Sequence, residues 1–274
     1  MIELILVGNM NRQYFIQDKN DWENYLVKKF LDENDNYTFS TTDMVKNIRI
    51  YNDIIPIGDI DFVAAALNRR YPFFKKQVPI EVPVYLQDQK YLNRIYKVGT
   101  WKDIPKTGKW FIKDASELKA FSICENMDFW YNEEYFDYQP KTSYDATISL
   151  PTDHDYIISS PVNILAEYRV YVINRVIKNI CFYKGRVDIF PDSNTSDMIK
   201  EMVNIINDNE KYLKSYALDV MITADGKTSI IELHNFSSIG LYMSSPALDK
   251  SLLLGYEQGI DYLLNDNSIK YKET

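Results

Sequence analysis

Residues 216–234 read YALDVMITADGKTSIIELH, two apolar runs joined by Asp225-Gly226, and their pairing decides the fold. Asp-Gly is the strongest short hairpin signal, because a type I′ turn needs positive φ at both central residues. With those two residues as the loop, Ala224 faces Lys227, Ile222 faces Ser229 and Asp219 faces Glu232. A symmetric four-residue loop keeps these partners, and an odd loop shifts them by one. Opposed residues have Cβ atoms roughly 4.5–5.5 Å apart, where like charges destabilise. Side chains alternate along a strand, so His234 falls on the face of Glu232. Two carboxylates in a largely apolar ribbon need positive charge nearby, since an unpartnered buried charge is costly. Spacing alone serves two readings: a divalent cation such as Mg²⁺ over both acids, or a Lys or Arg paired with one of them. The metal reading also predicts a phosphate substrate, because Mg²⁺ binds through one or two carboxylates and takes further ligands from water and phosphates.

The composition narrows the class. A chain of 274 residues that is 46% hydrophobic builds a real core, as one large domain or two smaller ones. Aromatics are plentiful, with 22 Tyr and 13 Phe, whereas nine Gly and the lack of a G-x-x-x-x-G-K-[ST] pattern argue against a glycine-rich phosphate loop. A net charge of −8 argues against nucleic-acid binding, which draws on clustered Lys and Arg. No stretch approaches the roughly 20 apolar residues that span a bilayer. The opening MIELILVGNMN carries Glu3 and too short an apolar run for a signal peptide. A cytoplasmic protein that uses neither membrane nor nucleic acid is expected, with Cys124 and Cys181 as reduced packing residues.

Along the chain, residues 2–7 read as a strand, DWENYLVKKFLDE as a helix and IRIYNDIIPIGDIDFVAAALNRR as strand, turn and helix. This α/β alternation predicts a small first lobe. VPIEVPVYL, with its two prolines, suits an edge or linker. Beyond about residue 90, KWFIKD reads as a short strand and the acidic, aromatic NMDFWYNEEYFDYQP as surface loop and turn. YIISSPV and AEYRVYVINRVIKNICFYKG are β-rich, the second as two runs around Asn174-Arg175. SDMIKEMVNIINDNEKY sets Ile199, Met202, Val203 and Ile206 on one helical face, and SPALDKSLLLGYEQGIDYLL closes the chain as helix. Strands and helices mixed without strict βαβ order indicate an α+β class.

Basic residues precede the acidic hairpin in a definite order. Lys113 ends KWFIK, Glu167 and Arg169 alternate in AEYRVYV, and Asp219 and Glu232 follow. This succession resembles the ATP-grasp superfamily. It is closest to a clade of phage and bacterial members through PIGDIDFV (56–63), FIKD…LKAF (111–121) and SSPV…EYRVYV (159–172). Each motif is weak alone; the order makes them specific.

The resemblance implies two α+β subdomains holding ATP over residues 89–274, after a small α/β lobe at residues 1–88. It implies ATP phosphate contacts for Lys113, with Arg94 at the basic position before the first ATP-grasp strand and Lys119 as a further phosphate candidate. Ser160, Pro161 and Val162 fall at the adenine-gripping link, and Glu167 is a further nucleotide-site residue. Arg169 faces the reacting phosphate with support from Lys184. Asp219 and Glu232 become ligands for Mg²⁺. The family's Glu-x-Asn is here Glu232-Leu233-His234, with Asn235 one step later, so either His234 or Asn235 fills the Asn position, and Mn²⁺ is the alternative ion. The implied activity is ATP-dependent carboxylate–amine ligation through an acyl phosphate, with small-molecule or peptide carboxylates and amines as partners.

Blander readings stand beside these. Lys113 also suits an ordinary strand-end cation, Lys119 a solvated helix position, Glu167–Arg169 a same-face salt bridge and His234 a satisfied core histidine. At the level of function, the rivals are a phosphotransferase, an ATP-binding module without turnover and a purely structural protein.

Overall fold

The computed structural model describes residues 12–19, 21–50, 53–71, 81–105, 107–115, 122–131, 135–140, 148–242 and 248–270. The strand expected at residues 2–7 lies outside them. Strand β1 (Gln13–Gln17) pairs in parallel with β2 (Tyr37–Ser40) on one side and β3 (Ile54–Ile57) on the other. Parallel neighbours need crossovers, and α1 (Trp22–Phe30) and α2 (Thr42–Asn47) supply them. Helix α3 (Ile60–Arg70) follows β3. Each of the three starts where a side chain accepts from a backbone N–H three residues on: Asp21 from Asn24, Thr41 from Met44, Asp59 from Phe62.

After the short helix α4 (Gln89–Leu92) comes a second sheet. Its strands are β4 (Tyr96–Thr100), β5 (Lys109–Asp114), β6 (Ser122–Tyr131), β7 (Tyr135–Pro140), β8 (Ile148–Pro151) and β9 (Asp155–Ser159). They lie in the order β4-β9-β5-β6-β7-β8, antiparallel throughout. The expectation of a surface loop over 126–140 is overturned here. Met127 pairs with Pro140 and Tyr131 with Phe136 in a β6–β7 hairpin. Phe, Tyr and Trp favour pleated surfaces, and that preference outweighs the acidic residues among them.

The third sheet is antiparallel in the order β11-β10-β12-β13, built from β10 (Ile164–Ile173), β11 (Val176–Gly185), β12 (Tyr216–Thr223) and β13 (Thr228–Asn235). Helix α5 (Ser193–Asn209) joins the two hairpins, and α6 (Ser251–Lys270) follows the sheet. The two-residue turn with positive φ at both positions lies at Asn174 (+49°) and Arg175 (+67°), not at Asp225-Gly226. Arg175 is held there by its N–H to Lys214 O and by its guanidinium, which donates to carbonyls at the end of α5, including Lys211 O at 2.8 Å. At Asp225-Gly226 the loop is odd. Thr223 N–H donates to Lys227 O, only Gly226 of the turn has positive φ, and Ile222 pairs with Thr228 instead of Ser229. A register shift between Asp219 and Val220 absorbs Ile231 and returns Asp219 opposite Glu232. The acids face each other because a bulge cancels the odd loop.

The two faces of this sheet have different fates. Tyr168, Val170, Val172, Tyr216, Leu218 and Val220 pack against α5, whose Ile199, Met202, Val203 and Ile206 are all buried. The opposite face is apolar at one end only. There Tyr171, Ile173 and Ala217 share a core with Ile16, Ile55 and Ile57 of the first lobe and with α6. Arg169, Asp219, Glu232 and His234 continue the same face beyond that core. Cys181, buried in it, is a free thiol.

Helix α6 approaches this core through glycine. A Cβ at Gly259 would lie 2.6 Å from the backbone of Phe236 and Ser237, atoms that cannot rotate away. Gly→Ala ordinarily stabilises a helix by up to about 1 kcal/mol. Here Gly259→Ala is expected to destabilise by about 1–3 kcal/mol in urea unfolding, because overpacking outweighs propensity; a stabilising result would contradict this packing.

Candidate active site

The second and third sheets face each other across a cavity of about 270 Å³. Register builds the upper wall. Tyr96 and Phe111 both pair with Ser159, and Lys113 pairs with Ile157, so all five project to one side and line the space. Glu167, Met221, Ile231 and Glu232 form the lower wall. The link from β9 to β10 closes one flank through Ser160, Pro161 and Val162. Ser160 is fixed by a two-way exchange with Ile95, its N–H donating to Ile95 O and its Oγ accepting from Ile95 N–H, both at 3.0 Å.

Lys113 crosses from the upper sheet to the lower. Its Nζ lies 2.9 Å from Glu232 Oε2 and 2.7 Å from Glu81 Oε1. Glu81, unforeseen in the sequence reading, is held in the left-handed region (φ +54°) while its carbonyl accepts from Leu233 N–H at 2.8 Å. Its signal is the one that marks Glu232: a lone acid inside an apolar stretch, here VPIEVPVYL. Burial pushes the Glu81 carboxyl up, against the pull of Lys113. Burial would also raise Glu232, but hydrogen bonding and charge from His234, with the charge of Lys113, hold it well below the usual carboxylate range. Lys113 is raised: burial opposes its charge, and the two carboxylates outweigh burial.

Asp219 has its own cation. Arg169 donates to it twice, Nε to Oδ1 at 2.7 Å and Nη2 to Oδ2 at 2.6 Å, with both side chains buried. Removing one partner from such a pair costs about 3–5 kcal/mol, because the other charge stays buried. The rings of Tyr183 and Tyr242 lie 5.6 and 5.0 Å from the guanidinium carbon and hold it further by cation–π attraction. A Glu167–Arg169 bridge is thus not the pairing found; Arg169 turns to the neighbouring strand. Burial raises the Glu167 carboxyl, which stands opposite the exposed Lys184 in the β10–β11 register.

The two residue-level readings of the acids therefore meet in one place. Each carboxylate has a basic partner, yet Asp219, Glu232 and His234 also offer ligand atoms that all lie within 4.8 Å of one another. His234 Nε2 is buried, 2.8 Å from Glu232 Oε1 and 3.8 Å from Asp219 Oδ2, and aligned for a hydrogen bond with neither. A buried nitrogen aimed between two carboxylates without that alignment fits a divalent cation, and the mixed N/O donors suit Mn²⁺ as well as Mg²⁺.

Of the other expected residues, Arg94 lines the cavity while donating to Ile230 O at 2.6 Å, its pKa pushed down by burial to about 10. Asn235 stands apart from the cluster. Its Oδ1 accepts from Ser237 N–H at 3.0 Å and caps the short helical turn after β13. Strand alternation turns it away from His234. Lys119 lies outside the described residues. Among the described residues no helix is long and apolar enough to cross a membrane.

Residues 91–248, more than half of the chain, match the model of an ATP-grasp domain family, the second family of its clade, and the chain belongs to that family. The solved RimK domain protein ATP-grasp from Sphaerobacter thermophilus is similar in fold, with a TM-score of 0.53 at 10% identity, covering 89% of this chain and 98% of that one. The chain is also similar to D-alanine–D-alanine ligase from Bacillus anthracis, solved with ATP, at a TM-score of 0.48 and 10% identity over 95% and 100% of the two chains. The ATP-grasp ligase PsnB, solved with a minimal precursor, gives 0.48 and 9% over 92% and 100%. No curated protein matches the sequence.

A carboxylate whose folded pKa lies below its unfolded value stabilises fully above the ordinary carboxylate range, and that contribution fades as pH falls through it. Glu232→Gln should therefore lower the unfolding free energy by about 2–4 kcal/mol at neutral pH. The gap to wild type should narrow below about pH 5 in urea titrations. A gap that widens in acid would contradict the depressed state of Glu232.

Proposed function

We propose that the protein is an ATP-dependent ligase that joins a carboxylate to an amine. The observation that carries this reading is the convergence of Lys113, Glu232, Asp219 and His234 at one end of a cavity that joins two sheets. Adenine would lie between Phe111 and Ile157 above and Met221 and Ile231 below, with its edge toward the backbone at Ser160–Val162. Lys113 would then exchange its carboxylates for phosphate oxygens, with Arg94 and Glu167 beside the nucleotide. Asp219, Glu232 and His234 would hold Mg²⁺ or Mn²⁺, which when bound neutralises charge on the phosphate oxygens. Lys119 and Asn235 keep the phosphate and metal roles implied for them as secondary candidates.

The chemistry divides into two displacements. A substrate carboxylate oxygen attacks the γ-phosphorus, the bond to the β-phosphate oxygen breaks, and ADP leaves an acyl phosphate. An amine then attacks the acyl carbon, inorganic phosphate departs and a proton is released as the amide forms. Arg169 and Lys113 stabilise the charge that builds on the transferring oxygens, and a dry cleft makes those interactions strong. Positioning supplies much of the remainder. The division into a lobe at residues 1–88 and a catalytic unit at 89–274 is part of this reading, with ATP and a small-molecule or peptide carboxylate and amine as partners in the cytoplasm.

A second reading has its own observation. Both Asp219 oxygens are already taken by Arg169, which suits a nucleotide-binding module without turnover. The two separate in one assay of ADP release with a panel of carboxylates and amines. The ligase reading expects release that needs both substrates, falls at least a hundredfold in Glu232→Gln and shows weaker Mg-ATP binding by calorimetry in Lys113→Ala. Mg-ATP binding without ADP release under any pairing would favour the module, and undiminished release in Glu232→Gln would remove the metal assignment.

A further inference from the structure

A second, smaller cavity lies in the first lobe, where β1 and β3 end and α1 and α3 begin. Its volume is about 30 Å³, room for one small polar head group on the scale at which a water needs about 10–15 Å³. Gln17, Lys19, Asp21, Glu23, Asn24 and Asp59 supply its polar lining. Most of these groups are committed. Asp59 accepts from Phe62 N–H, Gln17 and Lys19, Gln17 Oε1 accepts from Asp59 N–H, and Asp21 Oδ1 accepts from Asn24 N–H.

Asn24 is the exception. It is 6% exposed, its Nδ2 donates to Gln17 O, and its Oδ1 is buried with no partner. The amide orientation is settled by chemistry, because a backbone carbonyl only accepts and the nitrogen must face it. What remains is a buried acceptor in a cavity with three carboxylates and one lysine, and that lysine is already paired with Asp59 at 2.7 Å. Such a site calls for a donor that carries positive charge.

The cavity also borders the reaction site. Glu23, exposed at its mouth, accepts from Leu241 N–H at 2.8 Å. A Cβ at Gly240 would lie 3.4 Å from Glu23 Oε1 and 3.5 Å from Arg169 Nη1, so the two charged groups flank the same glycine. Gly240 O in turn accepts from Arg169 Nη1 at 3.3 Å.

We propose that this cavity seats a primary ammonium group of the substrate that carries the amine function, a reading that rests on the ligase function above. The ammonium donates to Asn24 Oδ1, and Asp21 and Glu23 supply the counter-charge. The site recognises the substrate; it takes no part in bond making. Volume sets the selectivity, since a primary ammonium fits where a quaternary one does not.

The test is a titration of the full-length protein with methylammonium chloride, followed by the NMR signals of the Asn24 side-chain amide and the Leu241 N–H. Sodium chloride and tetramethylammonium chloride are the controls. A saturable shift with methylammonium alone is expected, weakened at least tenfold in Glu23→Gln, which keeps the acceptor for Leu241 and loses the charge. Asn24→Leu, read at Leu241, should weaken it likewise. The site is overturned if methylammonium gives no saturable shift, as for a cavity that holds only water. An equal response to either control salt, or an unchanged response in Glu23→Gln, overturns it too. Mg-ATP titration of the same sample separates the two readings. Mg-ATP binding without methylammonium binding defeats the head-group site alone. Methylammonium binding without Mg-ATP binding defeats the ligase reading and the substrate assignment with it.

Discussion

A single ammonium group ties two sheets together. Lys113 Nζ reaches Glu232 on the third sheet and Glu81 on the segment that pairs with Leu233. Without it, two carboxylates would stand close together, largely out of water, with nothing between them. The contact is also replaceable. A phosphate offers the same lysine oxygen acceptors, and a divalent cation offers the same carboxylates positive charge. A cleft closed by its own ion pairs is thereby ready to exchange them for those of a charged ligand, with little change in the number of satisfied groups.

The period of two in a β-strand makes this economical. On one face of the third sheet, Tyr171, Ile173 and Ala217 belong to the core shared with the first lobe, and a few residues further Arg169, Asp219, Glu232 and His234 carry charge. The same strands thus anchor the lobe and present the proposed chemistry. Arg169 stands at the boundary, fixed by Asp219, Gly240 O and two tyrosine rings. Fixing costs entropy once, on folding, and leaves the group oriented before any ligand arrives.

Much of this was legible because apolar strands tolerate charge only for a reason. The facing of Asp219 and Glu232 followed from hairpin pairing, although the turn type did not. Asp225-Gly226 adopts an odd loop, and the bulge at Ile231 that restores the register carries no local signature. The positive-φ pair went to Asn174-Arg175, where a long-range cap on α5 supports a residue that intrinsic preference disfavours. The β6–β7 hairpin was hidden by acidic residues that suggest loop. Glu81 was hidden by distance along the chain from Lys113, and only the folded chain shows that the two share one contact. Arg169 was paired with its strand neighbour Glu167 in the simplest reading, whereas the cross-strand register hands it to Asp219.

The account turns on the cleft between the second and third sheets as the place where a metal-bound triphosphate lies. A crystal structure with a non-hydrolysable ATP analogue and Mg²⁺ tests this most directly. The account predicts the base between Phe111 and Met221, phosphate oxygens on Lys113 in place of Glu232, and a cation held by Asp219 and Glu232. An analogue bound elsewhere, or one bound here with the Lys113–Glu232 contact intact and no ion on the acids, would contradict it.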